Sequence, residues 1–512
     1  MSLVFSDFQP IAAIATTATG ANILLPLIQS HAANLWVAPS VTGIPGAKPY
    51  ADSLSTHLEQ LWTSHRSVVF CLATGAVVRL IAPLLKDKAT DPAIVVVDET
   101  GQFVISLCGG HQAGADQLAR LIAAEIGATP ILTGAANRAE LPGIDVMGVP
   151  FGWKKGEGNW TEVSAAIARG ETVQVIQEAG STLWQTALPA KHPLIFHSTE
   201  QPSSSLPKIH ITHHSPSSPL LSAPASSSIS WHPRVLWVGI GCERGTPKAV
   251  IDYAVQSVFV ANHLAEAAIA GIATIDLKAD EVGLVEVCCD RSLPLACFSA
   301  ETLRDVTVPN PSDVVKAEIG TPSVAEASAL TAIASFQGNV AAAASGGLIV
   351  PKQIVRLEGQ PGAVTIAIAQ AEQEYTGRSG NLWLVGTGPG CLDQITPAAK
   401  TAIAEADVVI GYSLYMELIQ PLLHPGQIIE TLPITQERQR AERAIELAKW
   451  GLTVAVISSG DCGIYGMAGL VMEQLQAQGW DGQTPAVQVF PGITALQSAA
   501  SRVGTPLMHD FC

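Results

Sequence analysis

The segment ATGAVVRLIAPLLKDKATDPAIVVVDETGQFVISLCGGHQAGADQLARLIAAEIGATPILT, residues Ala73–Thr133, alternates between two kinds of periodicity. Ala93–Asp98 and Phe103–Leu107 are short apolar runs of strand length, the first rich in β-branched residues. Gly75–Leu85 and Ala113–Ile126 instead carry apolar residues at helical spacing. Pro130–Thr133 closes the segment as a further strand. Strands that alternate with helices in this way predict an open α/β sheet. Upstream, Ile11–Thr17, Leu35–Ala38 and Ser67–Ala73 continue the same pattern.

Working outward, 512 residues exceed what one hydrophobic core organises, so two to four domains are expected. Residues 1–197 form the first α/β region. Residues 198–230 hold 12 Ser and 5 Pro among 33 residues, a composition that predicts a disordered linker. His210, His213 and His214 fall inside it, and nothing there would fix a metal geometry. A second α/β unit, 231–352, opens with LWVGIGCERGT; its helices are expected at Pro247–Leu264 and Ser323–Ala334. Residues 353–380 read as a connector, and a third unit, 381–512, starts sharply with NLWLVGTGPG.

Charge and composition exclude several function classes. With 28 Lys and Arg against 44 Asp and Glu, the net charge is −16, which argues against nucleic-acid binding. An anionic ligand then needs a local basic pocket. Nine cysteines without a CxxC pair suggest free thiols in a reducing compartment, hence a cytoplasmic location, and offer no metal-ligand spacing. The most apolar stretch, Ile11–Ile28, is broken by Thr16, Thr17, Thr19, Asn22 and Pro26 and follows Asp7, so neither a membrane span nor a secretory signal is expected.

Candidate chemistry sits where glycine-rich turns follow strands. In CGGHQAGAD, Cys108–Asp116, the glycines permit a tight turn before a helix whose N-terminal amides favour an anion. His111 is there either a general acid or base or a capping loop histidine. Arg79, Lys86 and Lys88 are candidates to face substrate carboxylates, with a solvated helix end as the alternative for Lys86 and Lys88. In the third unit, GTGPG follows strand Leu382–Val385, SSGDCGIYG (Ser458–Gly466) follows Thr453–Ile457, and PGITA (Pro491–Ala495) follows Ala486–Phe490. Carboxyl ends of strands in open sheets form ligand crevices. Neither GTGPG nor Gly239-Ile-Gly241 is a dinucleotide fingerprint, because the sixth positions are Cys391 and Arg244, so a nicotinamide-dependent oxidoreductase is disfavoured.

Residues 73–133, with LWVGIGCERGT (Leu236–Thr246) and GTPSVAEASAL (Gly320–Leu330), resemble the cobalt-precorrin-5A hydrolase family. The resemblance implies opening of a δ-lactone on ring A of the contracted macrocycle and expulsion of a two-carbon unit as acetaldehyde. Such a reaction needs an activated water and oxyanion stabilisation. His111 is the first candidate base, with Glu243 and Glu326 as alternatives; Arg79, Gly110 and Arg244 are candidate substrate contacts. Ala113 and Asp116 depart from the Gly and Asn of that family's His-x-Gly-Gly-Ala-Asn.

ADVVIGYSLY, SSGDCGIYGMAGLV and GTPLMHDF resemble the tetrapyrrole methyltransferases, within them the precorrin-3B C(17)-methyltransferase. That implies S-adenosylmethionine as cofactor, with contacts at Pro389, Ser459, Gly460, Asp461, Ile464, Thr494 and Ala495, and a homodimer through this part. Asp461 is otherwise an N-cap. Cys462 stands where that family has Pro. The resemblance covers only the first lobe of that two-lobed fold, so this chain alone is expected to bind the cofactor weakly and not to methylate. The whole reads as several open α/β sandwich domains acting on a precorrin or cobalt-precorrin tetrapyrrole. A non-catalytic tetrapyrrole-binding or channelling partner is the alternative.

Overall fold

A computed structural model describes residues 5, 8–29, 33–87, 90–110, 113–132, 141–196, 206–216, 227–337, 347–505 and 507. Two compact units divide the chain: Met1–Met147, Gln185–Lys191 and Ser379–Cys512 form one, Gly148–Trp184 and His192–Arg378 the other. Their secondary structure organises four sheets.

The first sheet has seven strands in the order Lys48–Pro49, Ala33–Val37, Ile11–Ala15, Ser67–Cys71, Ala93–Val97, Phe103–Cys108, Thr129–Ile131. Ala93–Val97 is wholly buried, as a strand covered on both faces must be. Each fully buried valine there contributes roughly 1.5–3 kcal/mol relative to an exposed one. Helix Ala115–Ile126 covers one face with Leu118, Leu121 and Ile122, at the expected three- and four-residue spacing. Leu58, Leu61, Val77 and Ile81, from helices Leu54–Ser64 and Thr74–Ile81, cover the other. Phe103–Cys108 runs antiparallel to Ala93–Val97, a reversal the alternating pattern did not announce.

The Ser/Pro segment is not simply a linker. Lys208–Ile211 and Ser228–His232 are neighbouring parallel strands in the interior of the second sheet, whose order is Leu194–Phe196, Val173–Gln177, Lys208–Ile211, Ser228–His232, Lys154–Gly158. Ile209, Ile211, Ile229 and Trp231 are buried at alternating positions. Two short period-two patterns were masked by the serines and prolines around them. Residues 197–205 and 217–226 lie outside the described residues.

Residues 353–380 are likewise no plain connector. Val364–Gln370 pairs antiparallel with Leu236–Cys242 on one side and Leu348–Val355 on the other. The third sheet therefore runs Leu295–Phe298, Ile269–Ile275, Leu236–Cys242, Val364–Gln370, Leu348–Val355. Helix Val324–Gln337 lies so close to it that a Cβ on Gly239 would stand 1.8 Å from the Ala325 carbonyl oxygen. Past the sheet, buried Glu374 accepts hydrogen bonds from Trp153 Nε1 at 2.7 Å and Ser181 N at 2.8 Å. That carboxylate fastens the third sheet's C-terminal extension to the central region.

The fourth sheet is wholly parallel: Ile428–Leu432, Val408–Tyr412, Thr453–Ser458, Asn381–Gly386, Ala486–Phe490. Among the described residues no helix is long and apolar enough to cross a membrane.

Candidate functional sites

Three adjacent strands of the fourth sheet, Thr453–Ser458, Asn381–Gly386 and Ala486–Phe490, bring their carboxyl-end loops together. Gly388 and Gly460 exchange backbone hydrogen bonds of 3.0 and 2.8 Å. A Cβ on Gly386 would stand 2.7 Å from the Gly460 oxygen and 2.8 Å from Gly492 N, and one on Gly492 only 2.1 Å from the Gly460 oxygen. The three loops therefore touch through bare backbone, where no side chain fits. Asp461 is not the N-cap of the following helix Met467–Ala477, whose cap is Gly466. Its carboxylate accepts from Gly463 N at 2.8 Å and Gly492 N at 2.9 Å, tying two loops together. Thr494 caps helix Ala495–Val503 in a reciprocal box with Gln497.

Around that backbone floor, Ser459, Ile464 and Ala495 are exposed and Pro389 and Gly460 half-buried. Tyr465, at the loop tip, is fully exposed with a left-handed φ of 54°. Cys462 is the opposite case. Its buried thiol donates to the Leu384 carbonyl at 3.2 Å, and burial pushes its pKa up to about 11, so it is a neutral donor rather than a nucleophile. The sequence marked position 462 only as a departure from Pro; its bond to a neighbouring strand needs the fold to be seen.

In the third sheet, a cavity of about 480 Å³ opens at the carboxyl ends of the parallel strands Leu236–Cys242 and Ile269–Ile275. Arg244, Gly245, Thr246, Pro247 and Lys248 line one side, Asp280, Glu281, Val282, Gly283 and Glu286 the other. Arg244 is exposed and donates to Asp280 Oδ1 at 2.6 Å and to the Leu277 carbonyl at 3.2 Å. That pairing raises the guanidinium pKa and holds the Asp280 carboxyl below its usual range. Glu243 is exposed at the start of the same loop, its carbonyl accepting from Thr246. Glu326 stands elsewhere and is corrected by the structure. It is fully buried and accepts from Asn310 N at 3.1 Å, Asn310 Nδ2 at 2.8 Å and Lys352 N at 3.0 Å. Holding three donors while fully buried, this carboxylate staples a loop and a strand to its helix, a structural role rather than that of an exposed base.

In the first sheet, His111 lies outside the described residues, as do Lys88 and residues 133–140. Its loop is nonetheless framed: Ala115 N donates to the Gly109 carbonyl and Asp116 N to that of Gly110, both at 3.0 Å. Gly109 has φ 76°, and the Asp116 carboxylate occupies the space a Cβ on Gly110 would need. Because Phe103–Cys108 is reversed, this loop sits at the amino end of Ala93–Val97. There Asp91 accepts from the backbone of Lys86 and Asp87. Arg79 is exposed in the last turn of helix Thr74–Ile81, which instead leaves the carboxyl end of Ser67–Cys71. Among the described residues no cluster of three or more His, Cys, Asp or Glu side chains is arranged to hold a metal ion.

Four family models match along the chain: Cobalamin synthesis G N-terminal at 56–137, Cobalamin biosynthesis central region at 142–233, Cobalamin synthesis G C-terminus at 236–369, and Tetrapyrrole (Corrin/Porphyrin) Methylases at 381–512. A cobalt-precorrin-5A hydrolase of Priestia megaterium is 32% identical over 289 residues, covering 55% of this chain and 76% of that protein. The chain belongs to the cobalt-precorrin-5A hydrolase family.

Within that family the central-region match runs through both strands of the Ser/Pro segment, and the C-terminal match runs to 369, through most of Val364–Gln370. The hydrolase-like part is followed by a tetrapyrrole methylase domain. A cobalt-factor III methyltransferase of Priestia megaterium is 52% identical over 134 residues, 26% of this chain and 25% of that protein. A precorrin-3B C(17)-methyltransferase of Sinorhizobium sp is 37% identical over 134 residues, 26% of this chain and 52% of that protein. The chain thus spans between a quarter and about half the length of these methyltransferase relatives.

Proposed function

We propose that this chain serves cobalamin biosynthesis as a bifunctional enzyme: its hydrolase part opens the ring A lactone of cobalt-precorrin-5A with release of acetaldehyde, and residues 381–512 carry the cofactor side of a C-17 methyltransferase acting on a precorrin-3B-class tetrapyrrole. The carrying observation is the 32% identity across three quarters of a cobalt-precorrin-5A hydrolase. For lactone opening, a base must take a proton from the attacking water while donors stabilise the oxygen that becomes negative. Exposed Glu243, beside the cavity, is the base among the described residues; His111 is the other candidate. Backbone amides of Gly109–Gly110 are candidate oxyanion donors, and Arg79, Gly110 and Arg244 candidate substrate contacts.

The glycine crossing fits S-adenosylmethionine, since a floor without side chains admits a flat, polar nucleoside closely. Pro389, Ser459, Gly460, Asp461, Ile464, Thr494 and Ala495 would hold it; when bound it supplies an electrophilic methyl group. Asp461 acts by fixing the loops, and methyl transfer asks chiefly for alignment. A homodimer through this domain and a cytoplasmic location complete the reading.

Trapping of acetaldehyde from cobalt-precorrin-5A tests the hydrolase. Release lost in Glu243→Gln but kept in His111→Ala places the base in the third sheet; the reverse places it in the first. Macrocycle binding without release would replace the enzyme by a holding or channelling partner.

A further inference from the structure

The cavity between residues 244–248 and 280–286 contains two kinds of ion pair. Glu281 is 3% exposed and is committed inward, accepting from Gly245 N at 2.9 Å and Lys278 Nζ at 3.3 Å. It fixes the loop that carries Arg244. The rim pairs are different: Arg244, whose Nη1 also stands 3.7 Å from Glu281 Oε2, pairs with Asp280 at side-chain exposures of 61% and 77%, and Lys248 with Asp290 has 37% and 59%. Exposed pairs of this kind are screened by water and add little to stability. They are exchangeable, and Asp280 serves no buried donor. Between the rim charges stands an apolar wall, Pro247 and the 67%-exposed Val282. Gly283 lets the two loops close behind it, since a Cβ there would stand 2.4 Å from the Thr246 carbonyl.

We propose that this cavity takes one carboxylate arm of a polycarboxylated macrocycle, and that Asp280 is an internal stand-in for it: the ligand carboxylate displaces Asp280 from Arg244 while an edge of the ring lies on Val282. The proposal rests on the tetrapyrrole reading above. A fork of guanidinium donors matches a carboxylate bidentately, which a released ligand arm satisfies better than the tethered Asp280. Glu281 and Glu286 also line the cavity, so it accepts a single carboxylate end-on beside Arg244 and repels a second. Its size falls within the range of small-molecule sites, and its place at strand carboxyl ends is where open sheets bind ligands.

The test is titration of the full chain with uroporphyrin III, an octacarboxylate, at low salt. Arg244→Gln is expected to weaken binding at least tenfold. Asp280→Asn, which removes the competitor, is expected to tighten it three- to tenfold, a gain that damaged folding cannot imitate. The double variant should match Arg244→Gln alone. Equal weakening by both single variants would make the pair purely structural and overturn the exchange; so would unchanged affinity in Arg244→Gln, or no porphyrin binding by the unaltered chain. Acetaldehyde release separates this from the functional reading: release with an unaltered KM in Arg244→Gln overturns the exchange and leaves the hydrolase standing, whereas no release together with the Asp280→Asn gain overturns the hydrolase and leaves the exchange standing.

Discussion

Buried titratable side chains of the central region, and of the extension fastened to it, determine how that region responds to acid and to mutation. Burial pushes the His213 imidazole down to about 4, and His210 and His232 shift the same way for the same reason. An unfolded histidine titrates near 6.5. Below that pH the unfolded chain takes up a proton that the folded chain refuses, so stability falls as pH drops from about 6.5 to about 4. For His213 alone the loss reaches about 3 kcal/mol. The protection factors of the amides in strand Lys208–Ile211 should therefore fall between pH 7 and pH 5, and less steeply in His213→Gln. Glu374 is the second case. Glu374→Ala orphans the Trp153 and Ser181 donors, a cost of about 2–6 kcal/mol at about 1–3 kcal/mol each. Glu374→Gln keeps the acceptor for Trp153 and should fall between, as read by the urea midpoint of Trp fluorescence. Neither residue announced itself: a glutamate in QAEQEYTGR and a histidine in ITHHS look like solvated chain until their partners, more than a hundred residues away for Glu374, are folded against them.

At the scale of elements, long strands and helices were legible and reversals were not. AIVVV and ADQLARLIAAEI state their own structure because burial and periodicity are local. The direction of Phe103–Cys108 is set by loop length, since the five residues 98–102 are too few for the crossover of a parallel pair, and strand and helix periodicity carry no such cue. The methylase-like loops were legible because each glycine follows a strand, yet why they must be glycines appears only where three backbones meet. Gly492→Ala puts a methyl 2.1 Å from the Gly460 carbonyl and should separate the loops. Calorimetry of S-adenosylmethionine binding is expected to show at least a tenfold loss, with the far-ultraviolet spectrum unchanged. Asp461→Asn, which keeps one acceptor for the two amides, should lose less. Gly239→Ala meets the Ala325 carbonyl at 1.8 Å and should instead cost fold, lowering the unfolding midpoint while leaving cofactor binding intact.

For the molecule as a whole, the third sheet is assembled out of chain order. Its strand Val364–Gln370 is threaded last but sits inside, between strands completed at residues 242 and 355. During synthesis, the edge of Leu236–Cys242 waits unpaired for more than a hundred residues, an exposed template for wrong partners. A chain stopped after Lys352, where composition suggests a domain end, would keep that edge permanently and should precipitate, while one stopped after Arg378 should stay dispersed; sedimentation of the two products would tell them apart. The methylase domain begins at Asn381, only 11 residues after Gln370. The ribosome therefore delivers the sheet's closing strand and the next domain's first strand almost together, so the interval in which that edge lies open ends just as the next sheet begins to form.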